Sequence, residues 1–259
     1  MTTSFTRLDL AVQLAKQAGR IELKYFRQDV QSNNKNPRDL VTQADIEAEQ
    51  TIIAGIKVHF PQDAILAEES GVHQGEGSEY SWTIDPLDGT GNFFKGSPDF
   101  CVMIAILQDN QPIASVIYFP IIEQLYIAEK GNGATKNGEL LHVSSELKLA
   151  SMYANTHMSS KMEIRKENLA LYEKTLLNVR NVHVINACIG RLLCDIAEGI
   201  ADFHFRVGLH LWDYLPGQLL IEEAGGKVTD LKGKTLSEEA EGVIASNGTI
   251  HNELVEFLG

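Results

Sequence analysis

Trp82–Thr–Ile–Asp85–Pro–Leu–Asp88–Gly–Thr–Gly–Asn92 is the segment of this sequence that says most about its fold and its chemistry. Its apolar start predicts a short buried strand that runs directly into Asp85. The proline that follows and Gly89 predict a sharp turn just past that strand. In such a turn Asp85 and Asp88 can face one another and share one ion. The segment therefore predicts a carboxylate site at the end of a strand.

Gly89 adds a second feature, because a residue without a side chain lets the backbone approach an oxyanion closely. If Gly89 and Thr90 open a helix, their N–H groups form an anion site that the helix dipole strengthens. Carboxylates beside such N–H groups make little chemical sense without a cation between them. Together these groups predict Mg²⁺ held by hard oxygen ligands next to a substrate phosphate.

Two alternatives compete for this segment. A calcium-binding EF-hand needs acidic residues at alternate positions and a late glutamate, and the spacing around Gly89 provides neither. A plain aspartate-rich turn explains a bare DxxDG, but the longer string DPLDGTGN is much more specific. A ligand site is therefore favoured over both alternatives.

The composition indicates a globular protein with an acidic surface. The 259 residues are 44% hydrophobic and 22% charged, which suits one large domain or two closely joined ones with a substantial core. With 22 basic and 35 acidic residues, the net charge of −13 opposes binding to nucleic acid or to an anionic membrane. It also repels phosphorylated substrates at long range, so bound divalent cations are the simplest means of reversing the sign locally.

The cysteines and the N-terminal residues predict a reduced, cytoplasmic protein. Cys101, Cys188 and Cys194 show no CxxC spacing and are odd in number, which is typical of buried thiols in the cytosol. Residues 1–10 lack the pattern of a signal peptide, and no apolar run approaches the ~20 residues that span a bilayer.

Periodicity predicts an α+β protein whose strands and helices come in blocks rather than in strict alternation. The predicted strands are 64–67, 82–84, 101–107, 114–118 and 125–128, and the predicted helices are 7–26, 43–60, 161–179, 189–198 and 213–224. Thr42 is the predicted N-cap of the second helix, with Asp45 in its first turn. Residues 28–38 are predicted as a loop, 110–112 as a hairpin turn, and Pro216 in the first turn of its helix. A boundary near residue 148 divides the chain into predicted halves, 1–148 and 149–259.

Four motifs, in order along the chain, resemble those of the inositol monophosphatase family. Residues 85–92 (DPLDGTGN) resemble its DPxDGTxN signature, and residues 211–226 (LWDYLPGQLLIEEAGG) resemble WDxAxGxLLxxEAGG. Upstream, residues 39–45 (DLVTQAD) and 67–70 (AEES) match in the same order. The resemblance covers nearly the whole chain. It implies a layered αβαβα sandwich, usually a homodimer, that uses two or three Mg²⁺ ions per subunit and is sensitive to lithium.

The resemblance also implies a role for each candidate residue. The implied metal ligands are the carboxylates of Glu68, Asp85, Asp88 and Asp213 and the backbone carbonyl of Leu87. The implied catalytic residues are Asp45, Thr90 and Glu68, and the substrate contacts are Leu87, Asp88, Gly89, Thr90, Arg206 and Asp213. The chemistry of these groups agrees, because a threonine hydroxyl backed by a carboxylate can relay a proton from attacking water. As alternatives, Asp45 is only a charge at a helix start and Asp213 only an N-cap.

Arg206 is the clearest departure from the family pattern. It stands seven residues before Asp213, where the family often has a glutamate that contacts sugar hydroxyls. Because a guanidinium suits an anion better than a neutral diol, we expect Arg206 to recognise a second phosphate or a carboxylate. The alternative is that Arg206 points to solvent or pairs with an acidic neighbour at a dimer contact. The nearby His204 and His210 are predicted to be surface or structural residues.

Other departures lie around the same predicted pocket. Ala187 and Cys188 replace a Gly-Ser/Thr pair of the family, Asn34 stands where the family has a lysine, and Gly91 where threonine or serine is common. The sequence therefore predicts Mg²⁺-dependent hydrolysis of a phosphate monoester of a small polyol or sugar. Inositol 1-phosphate is the favoured substrate, and the products are inositol and phosphate. Alternatives are a fructose-1,6-bisphosphatase, a 3′-phosphonucleotide phosphatase, and a regulatory binding protein without turnover.

Overall fold

The computed structural model describes residues 5–28, 32–36, 39–157, 162–184, 187–208, 210–237 and 239–259. Its helices in these ranges are α1 (Arg7–Tyr25), α2 (Gln43–His59), α3 (Thr90–Phe94), α4 (Met162–Leu176), α5 (Ile189–Ala197), α6 (Leu211–Glu223) and α7 (His251–Leu258). Its strands are β1 (Ser32–Asn36), β2 (Asp39–Thr42), β3 (Ala64–Ala67), β4 (Gly71–His73), β5 (Tyr80–Asp88), β6 (Cys101–Gln108), β7 (Gln111–Phe119), β8 (Gln124–Glu129), β9 (Gly133–Lys136), β10 (Glu139–Leu140), β11 (Tyr153–Thr156), β12 (Asn181–Val184), β13 (Phe203–Val207), β14 (Lys227–Thr229) and β15 (Gly242–Ser246).

The two larger of the three sheets in the described ranges alternate with three layers of helix, and β1 and β2 form a separate two-stranded sheet. The larger sheet has the strand order β10-β9-β8-β7-β6-β5-β3-β4, and the smaller has the order β12-β11-β13-β15-β14. Apolar side chains of α1 and α2 form a core on one face of the larger sheet, and those of α5 and α6 fill the space between the sheets. Helices α4 and α7 pack on the outer face of the smaller sheet. The predicted α+β class and αβαβα sandwich are confirmed. The division at residue 148 stays a prediction.

Both N-terminal helices begin with the same local device, a capping box. The threonine before the helix accepts a bond from a first-turn N–H, and an aspartate at the third helical position accepts one from the N-cap N–H. The pairs are Thr6 with Asp9 in α1 and Thr42 with Asp45 in α2. The predicted N-cap at Thr42 is confirmed, and it fixes the orientation of the Asp45 carboxylate.

Strand β5 runs further than the sequence predicts. It continues to Asp88 and pairs with β6 throughout, with a register shift between Asp85, opposite Met103, and Asp88, opposite Cys101. A bulge tolerates the missing N–H of the proline between the two aspartates, so the strand need not end there. The predicted turn comes instead at Gly89, whose φ of 94° is left-handed and leads into α3.

Two local predictions of loops and turns are wrong. The segment Ser32–Asn36, predicted as loop, pairs with β2 as an antiparallel hairpin, because main-chain bonds between strands do not depend on apolar side chains. The turn between β6 and β7 is formed by Asp109 and Asn110, with φ of 49° and 62°, rather than by residues 110–112. Aspartate and asparagine tolerate positive φ better than other residues with side chains, which suits a two-residue hairpin.

Helix α6 begins at Leu211, two residues before the predicted start at Asp213. Pro216 consequently lies inside the helix and not in its first turn. The three cysteines are buried and free, as predicted. Across the described residues, the helices include none with the length and apolar character needed to cross a membrane.

Candidate active site

One pocket collects almost all of the predicted site residues. It lies where β3, β5, β11 and β13 end near the starts of α3, α5 and α6. Its lining consists of Glu68, Asp85, Leu87, Asp88, Gly89, Thr90, Gly91, Asn92, His157, Ala187, Cys188, Ile189, Arg206 and Asp213. Asp45 lies behind this lining and reaches it through Thr90. Four separate stretches of the chain therefore meet at one place.

Four carboxylates face the pocket from three of these stretches. Glu68 follows β3 directly, and its N–H donates to the carbonyl of Ile84 in the neighbouring β5. Burial, together with the nearby charges of Glu68, Asp88 and Asp213, raises the pKa of Asp85 well above its usual range. This upward shift means that the negative charges repel one another in the absence of a counter-ion.

The backbone of β5 itself orients Asp85. The N–H of Leu87 donates to Asp85 Oδ1 at 3.0 Å, which fixes the carboxylate against its own turn. The carbonyl of Leu87 accepts from the Thr90 hydroxyl at 3.1 Å. Leu87 thus contributes backbone groups to the pocket while its side chain is buried in a cluster with Phe93 and Phe100.

Asp88 is held by the start of α5. The N–H of Gly190 donates to Asp88 Oδ2 at 2.5 Å, and the Cys101 thiol lies 3.6 Å from the same oxygen. Burial raises the pKa of Asp88 to about 6, against the opposing effect of the Gly190 N–H. A Cβ at position 190 would collide with Cys101 Sγ and lie 3.3 Å from Asp88 Oδ2, so this close approach requires glycine.

Asp213 lies at the third position of α6, where its Oδ2 accepts from the N–H of His210 at 2.9 Å. It is therefore not the N-cap, and it lines the pocket as well as supporting the first turn of the helix. His210 is exposed, and its ring stacks on Trp212 with 4.7 Å between centroids. The structural role predicted for this histidine is consistent with that position.

Thr90 connects the pocket to Asp45. Its hydroxyl lies 3.0 Å from Asp45 Oδ1 and 3.1 Å from the Leu87 carbonyl, so one proton is shared between two acceptors. Burial raises the pKa of Asp45, although bonds from Thr42 and Thr90 oppose that rise. The hydroxyl oxygen keeps its lone pairs and can accept a proton or orient water at the pocket wall.

Arg206 lines the pocket and is 9% exposed, so the alternative in which it points to solvent is wrong. Burial lowers the pKa of Arg206, and the charges of Asp213 and Asp88 oppose that effect. Its Nε is buried and has no hydrogen-bond partner in the described part of the chain. His204, two residues earlier on β13, is fully buried, and its Nδ1 lies 2.7 Å from Asn155 Oδ1.

The donor set fits a hard cation. Oxygen ligands from carboxylates and a backbone carbonyl are those that Mg²⁺ prefers. Asp88, Cys101 and Cys188 also form a tight group, with ligand atoms within 4.8 Å of one another among the described residues. Burial raises the pKa of Cys188 to about 12 and that of Cys101 well above its usual value. Sulfur ligands suit soft or borderline metals and Mg²⁺ prefers oxygen, so this group does not fit the cation that the carboxylates favour.

The geometry agrees with comparisons to known proteins. The model of the inositol monophosphatase family matches residues 6–258, which is nearly the whole chain. The chain belongs to the inositol monophosphatase family. An inositol-1-monophosphatase of Mesorhizobium japonicum is 36% identical, over 97% of this chain and 95% of its own. The Nus factor SuhB of Pasteurella multocida is 35% identical, over 87% of this chain and 85% of its own.

A solved structure extends the agreement to the fold. The extragenic suppressor protein suhB of Bartonella henselae superposes with a TM-score of 0.90 at 32% identity, covering 96% of this chain and 97% of that one. A relative named as a phosphatase and a relative named as a Nus factor are thus about equally similar in sequence to this inositol monophosphatase family member. The family is shown, and the substrate has to be argued from the pocket.

His157 is the pocket residue that sequence reasoning missed. It follows β11 and belongs to none of the four motifs. Asn34, where the family has a lysine, is a position whose side chain lies outside the described residues. No sequence signal marks this wall of the pocket, because the polar residues that alternate with phenylalanines in β13 are seen to be buried only in the structure. Buried polar residues in a strand need hydrogen-bond partners, and Arg206 of this strand faces the pocket.

Proposed function

We propose that this protein is a Mg²⁺-dependent phosphatase that hydrolyses a phosphate monoester of a small polyol or sugar. The observation that carries the proposal is the convergence of four carboxylates on one pocket that also contains the Thr90–Asp45 pair. Mutual repulsion among buried carboxylates has a cost, and a site that needs cations accounts for it. Two or three Mg²⁺ ions per subunit, a homodimer and a cytoplasmic location stay predictions.

Glu68, Asp85, Asp88, Asp213 and the carbonyl of Leu87 would hold the ions. When bound, Mg²⁺ supplies charge neutralisation of the phosphoryl group and lowers the pKa of a water molecule. The protein's own task is then to place and deprotonate that water. Thr90 Oγ1 accepts a hydrogen bond from the water and takes up its proton, while the proton of the Thr90 hydroxyl passes to Asp45 behind it.

The N–H groups of Gly89 and Thr90 are the proposed phosphate contacts. They lie at the left-handed turn between β5 and α3, beside the carboxylates that would bind the ions. Donors fixed by the backbone need no reorganisation as charge shifts onto the phosphate oxygens, which is where electrostatic stabilisation is most effective. Positioning and electrostatics thus account for the reaction without a nucleophilic side chain.

The test is release of inorganic phosphate with Mg²⁺ from myo-inositol 1-phosphate, fructose 1,6-bisphosphate, 3′-phosphoadenosine 5′-phosphate and glycerol 2-phosphate. We expect turnover of at least one of them that EDTA abolishes and added Mg²⁺ restores. Release that persists in EDTA would refute a role for divalent ions. If a folded protein releases phosphate from none of the four, the alternative of a regulatory binding protein is favoured. Relatives named as Nus factors support that alternative.

A further inference from the structure

One face of the smaller sheet presents a band of polar residues to the pocket. In β13, Phe203 and Phe205 belong to the apolar core beneath α4 and α7, so their neighbours in the strand point to the opposite face. Those neighbours are His204 and Arg206, which are 0% and 9% exposed. Arg206 lies at the pocket end of the strand.

The neighbouring strand β11 adds to the same band. It runs parallel to β13 with Asn155 opposite His204, and the Asn155 side chain meets the His204 ring. His157 lies two residues beyond Asn155, so the parallel register places it beside Arg206. The Thr156 hydroxyl donates to the Phe205 carbonyl at 2.7 Å and ties the two strands together at this level.

Two nitrogen atoms in this band that belong to pocket-lining residues have no hydrogen-bond partner among the residues that the structure describes. They are Nε of Arg206 and Nδ1 of His157, both buried. Burial, with the neighbouring charges of Arg206 and Arg165, lowers the pKa of His157 to about 4, so the ring is neutral and able to donate one N–H. Buried polar atoms without partners are uncommon in native proteins, and a ligand is a frequent explanation.

Arg206 has acidic neighbours, but they are the residues proposed to bind cations. The charges that act on its guanidinium come from Asp213 and Asp88. Once those carboxylates neutralise metal ions, they no longer balance the buried guanidinium. A buried positive charge without an anion is costly, so an anionic group of the ligand beside Arg206 would restore the balance if these carboxylates held Mg²⁺.

We propose that Arg206 and His157 form a second anion subsite, and that the preferred substrate carries a carboxylate or a second phosphate besides the ester that is hydrolysed. The proposal rests on the proposed function and names its substrate class. A planar guanidinium binds carboxylate and phosphate alike in a bidentate manner, so both groups belong to the same chemistry. The net charge of −13 makes such a local cation more important, because the rest of the surface repels a ligand that carries two anionic groups.

The test compares substrates that differ in one anionic group. Glycerol 2-phosphate and 2-phosphoglycerate share a skeleton, in which one CH₂OH is replaced by a carboxylate. Fructose 1-phosphate and fructose 1,6-bisphosphate differ by a second phosphate. The wild type, Arg206→Gln, Arg206→Lys and His157→Asn are assayed with Mg²⁺. Arg180→Gln, which removes an exposed arginine that precedes β12 and does not line the pocket, is the matched control.

We expect the wild type to prefer the member with the second anionic group in at least one pair, and Arg206→Gln to reduce kcat/KM for that member about 10- to 100-fold, mainly through KM. The same variant should reduce kcat/KM less for the member of the pair without the second anionic group, so that the ratio of kcat/KM between the two members falls about 10-fold, because the charge-assisted bond to the second group is lost only with the member that carries it. Arg206→Lys should give a ratio between those of the wild type and of Arg206→Gln, since lysine keeps the charge but lacks the planar guanidinium that binds an anion with two hydrogen bonds. Arg180→Gln should resemble the wild type.

The pair that shows the preference identifies the second group as carboxylate or phosphate. Equal losses for both members of each pair would overturn the subsite and leave the proposed function intact, because Arg206 would then support the reacting phosphate or the metal site. A wild type that prefers neither 2-phosphoglycerate over glycerol 2-phosphate nor fructose 1,6-bisphosphate over fructose 1-phosphate would overturn it as well. If the wild type released phosphate from no substrate here or in the panel above, the proposed function itself would fail, and the subsite with it. Should Arg206→Gln not fold, His157→Asn and Arg206→Lys decide by the same ratios.

Discussion

Asp45 and Thr90, 45 residues apart in the chain, are joined by a hydrogen bond of 3.0 Å from the threonine hydroxyl to Asp45 Oδ1. The other carboxylate oxygen of Asp45 accepts from both the N–H and the hydroxyl of Thr42 and so closes the capping box of α2. A single carboxylate thus caps the start of helix α2 and supports the pocket wall. Because helix α2 fixes its position, Asp45 orients the Thr90 hydroxyl without needing a partner in solvent.

The two capping boxes of this chain allow the structural and chemical roles of Asp45 to be separated. Asp9 occupies the same position in α1, is exposed and lies outside the pocket. We expect Asp9→Asn to lower the free energy of unfolding by about 0.3–1.5 kcal/mol, the usual value of such a cap. Asp45→Asn should lower it by less, because burial raises the pKa of Asp45 and its ionised form therefore stabilises the fold less than an exposed cap does. Only Asp45→Asn should also reduce kcat, by about 10²- to 10⁴-fold, as expected for a lost proton acceptor.

Thermal unfolding and phosphate release measured on the same preparations test this prediction. Thr90→Val should repeat the loss of kcat with little loss of stability, because it removes the hydroxyl and keeps the shape. If Asp9→Asn and Asp45→Asn had the same activity, Asp45 would be a helix cap and nothing more.

The carboxylates of the pocket make a prediction about stability without metal. Burial and neighbouring negative charge raise the pKa of Asp85 well above its usual range, so its ionised form destabilises the metal-free protein at neutral pH. We expect Asp85→Asn to raise Tm in EDTA by about 2–4 °C, which corresponds to about 1 kcal/mol for a chain of this size. In wild type, Mg²⁺ at 100 times its Kd should stabilise the fold by about 2.7 kcal/mol.

Differential scanning with and without Mg²⁺ measures both effects, with Glu256→Gln on the exposed side of α7 as a control for the loss of one charge. Asp85→Asn should lose most of the Mg²⁺-dependent rise, and Glu256→Gln should keep it. A Tm that does not respond to Mg²⁺ in the wild type would contradict the assignment of these residues as ligands.

Gly190 and Gly91 predict opposite outcomes for the same substitution. An alanine at position 190 would collide with Cys101 Sγ, lie 3.1 Å from Met103 Sδ and press on Asp88. We expect Gly190→Ala to cost about 1–3 kcal/mol of stability, as overpacking does, and to reduce activity by displacing the Asp88 carboxylate. A Cβ at position 91 meets nothing within 4 Å and lies in α3, so Gly91→Ala should stabilise by about 0.5–1 kcal/mol.

Urea unfolding and phosphate release of the two variants, side by side, measure these effects. If Gly190→Ala lost activity while its urea unfolding midpoint stayed unchanged, the displacement of Asp88 would be supported and the predicted loss of stability would be wrong. Full activity in a destabilised Gly190→Ala would show that the N–H of residue 190 does not position Asp88.

Sequence reasoning succeeded where the relevant residues are close in the chain. The proximity of Asp85 and Asp88 follows from three residues of spacing, and the Thr42 cap follows from a local rule. The bond from Gly190 to Asp88 spans 102 residues, and no local pattern predicts it. The strand through Pro86 was missed because a bulge replaces the pairing that proline removes, which depends on the partner strand β6.

His157 was missed for a different reason. Its role depends on the parallel register of β11 beside β13, which is a property of the assembled sheet. Arg206 was recognised as unusual from its position before Asp213, but its burial was not predicted. An alternating Phe-His-Phe-Arg pattern normally indicates one solvent-exposed face. Here the polar face lies between two layers and next to the pocket, so only the tertiary structure distinguishes the two cases.

A last prediction concerns the fold on the side of the larger sheet that α1 covers. Asp63, whose side chain is 1% exposed, accepts from Arg7 Nε at 2.7 Å and Arg7 Nη2 at 3.0 Å. It also accepts from Ser78 at 2.7 Å and from the indole of the fully buried Trp82 at 2.9 Å. Burial acts to raise the pKa of Asp63, but these hydrogen bonds and the Arg7 charge bring it below its ordinary value. The carboxylate therefore joins α1 to β5 in its ionised form.

We expect Asp63→Asn to destabilise the protein by about 3–5 kcal/mol, because it leaves a partly buried Arg7 without its partner. The matched control is Glu241→Gln, which breaks the exposed pair with Lys232 and should cost about 0–1 kcal/mol. Since the folded pKa of Asp63 is depressed, its contribution is complete above the unfolded pKa of about 3.9 and is lost as pH falls through the folded value. Urea titrations from pH 7 to pH 3 should therefore show a constant gap between wild type and Asp63→Asn down to about pH 5, which narrows below about pH 4. A gap that stayed constant to pH 3 would mean that shape, and not the ionised carboxylate, makes Asp63 important.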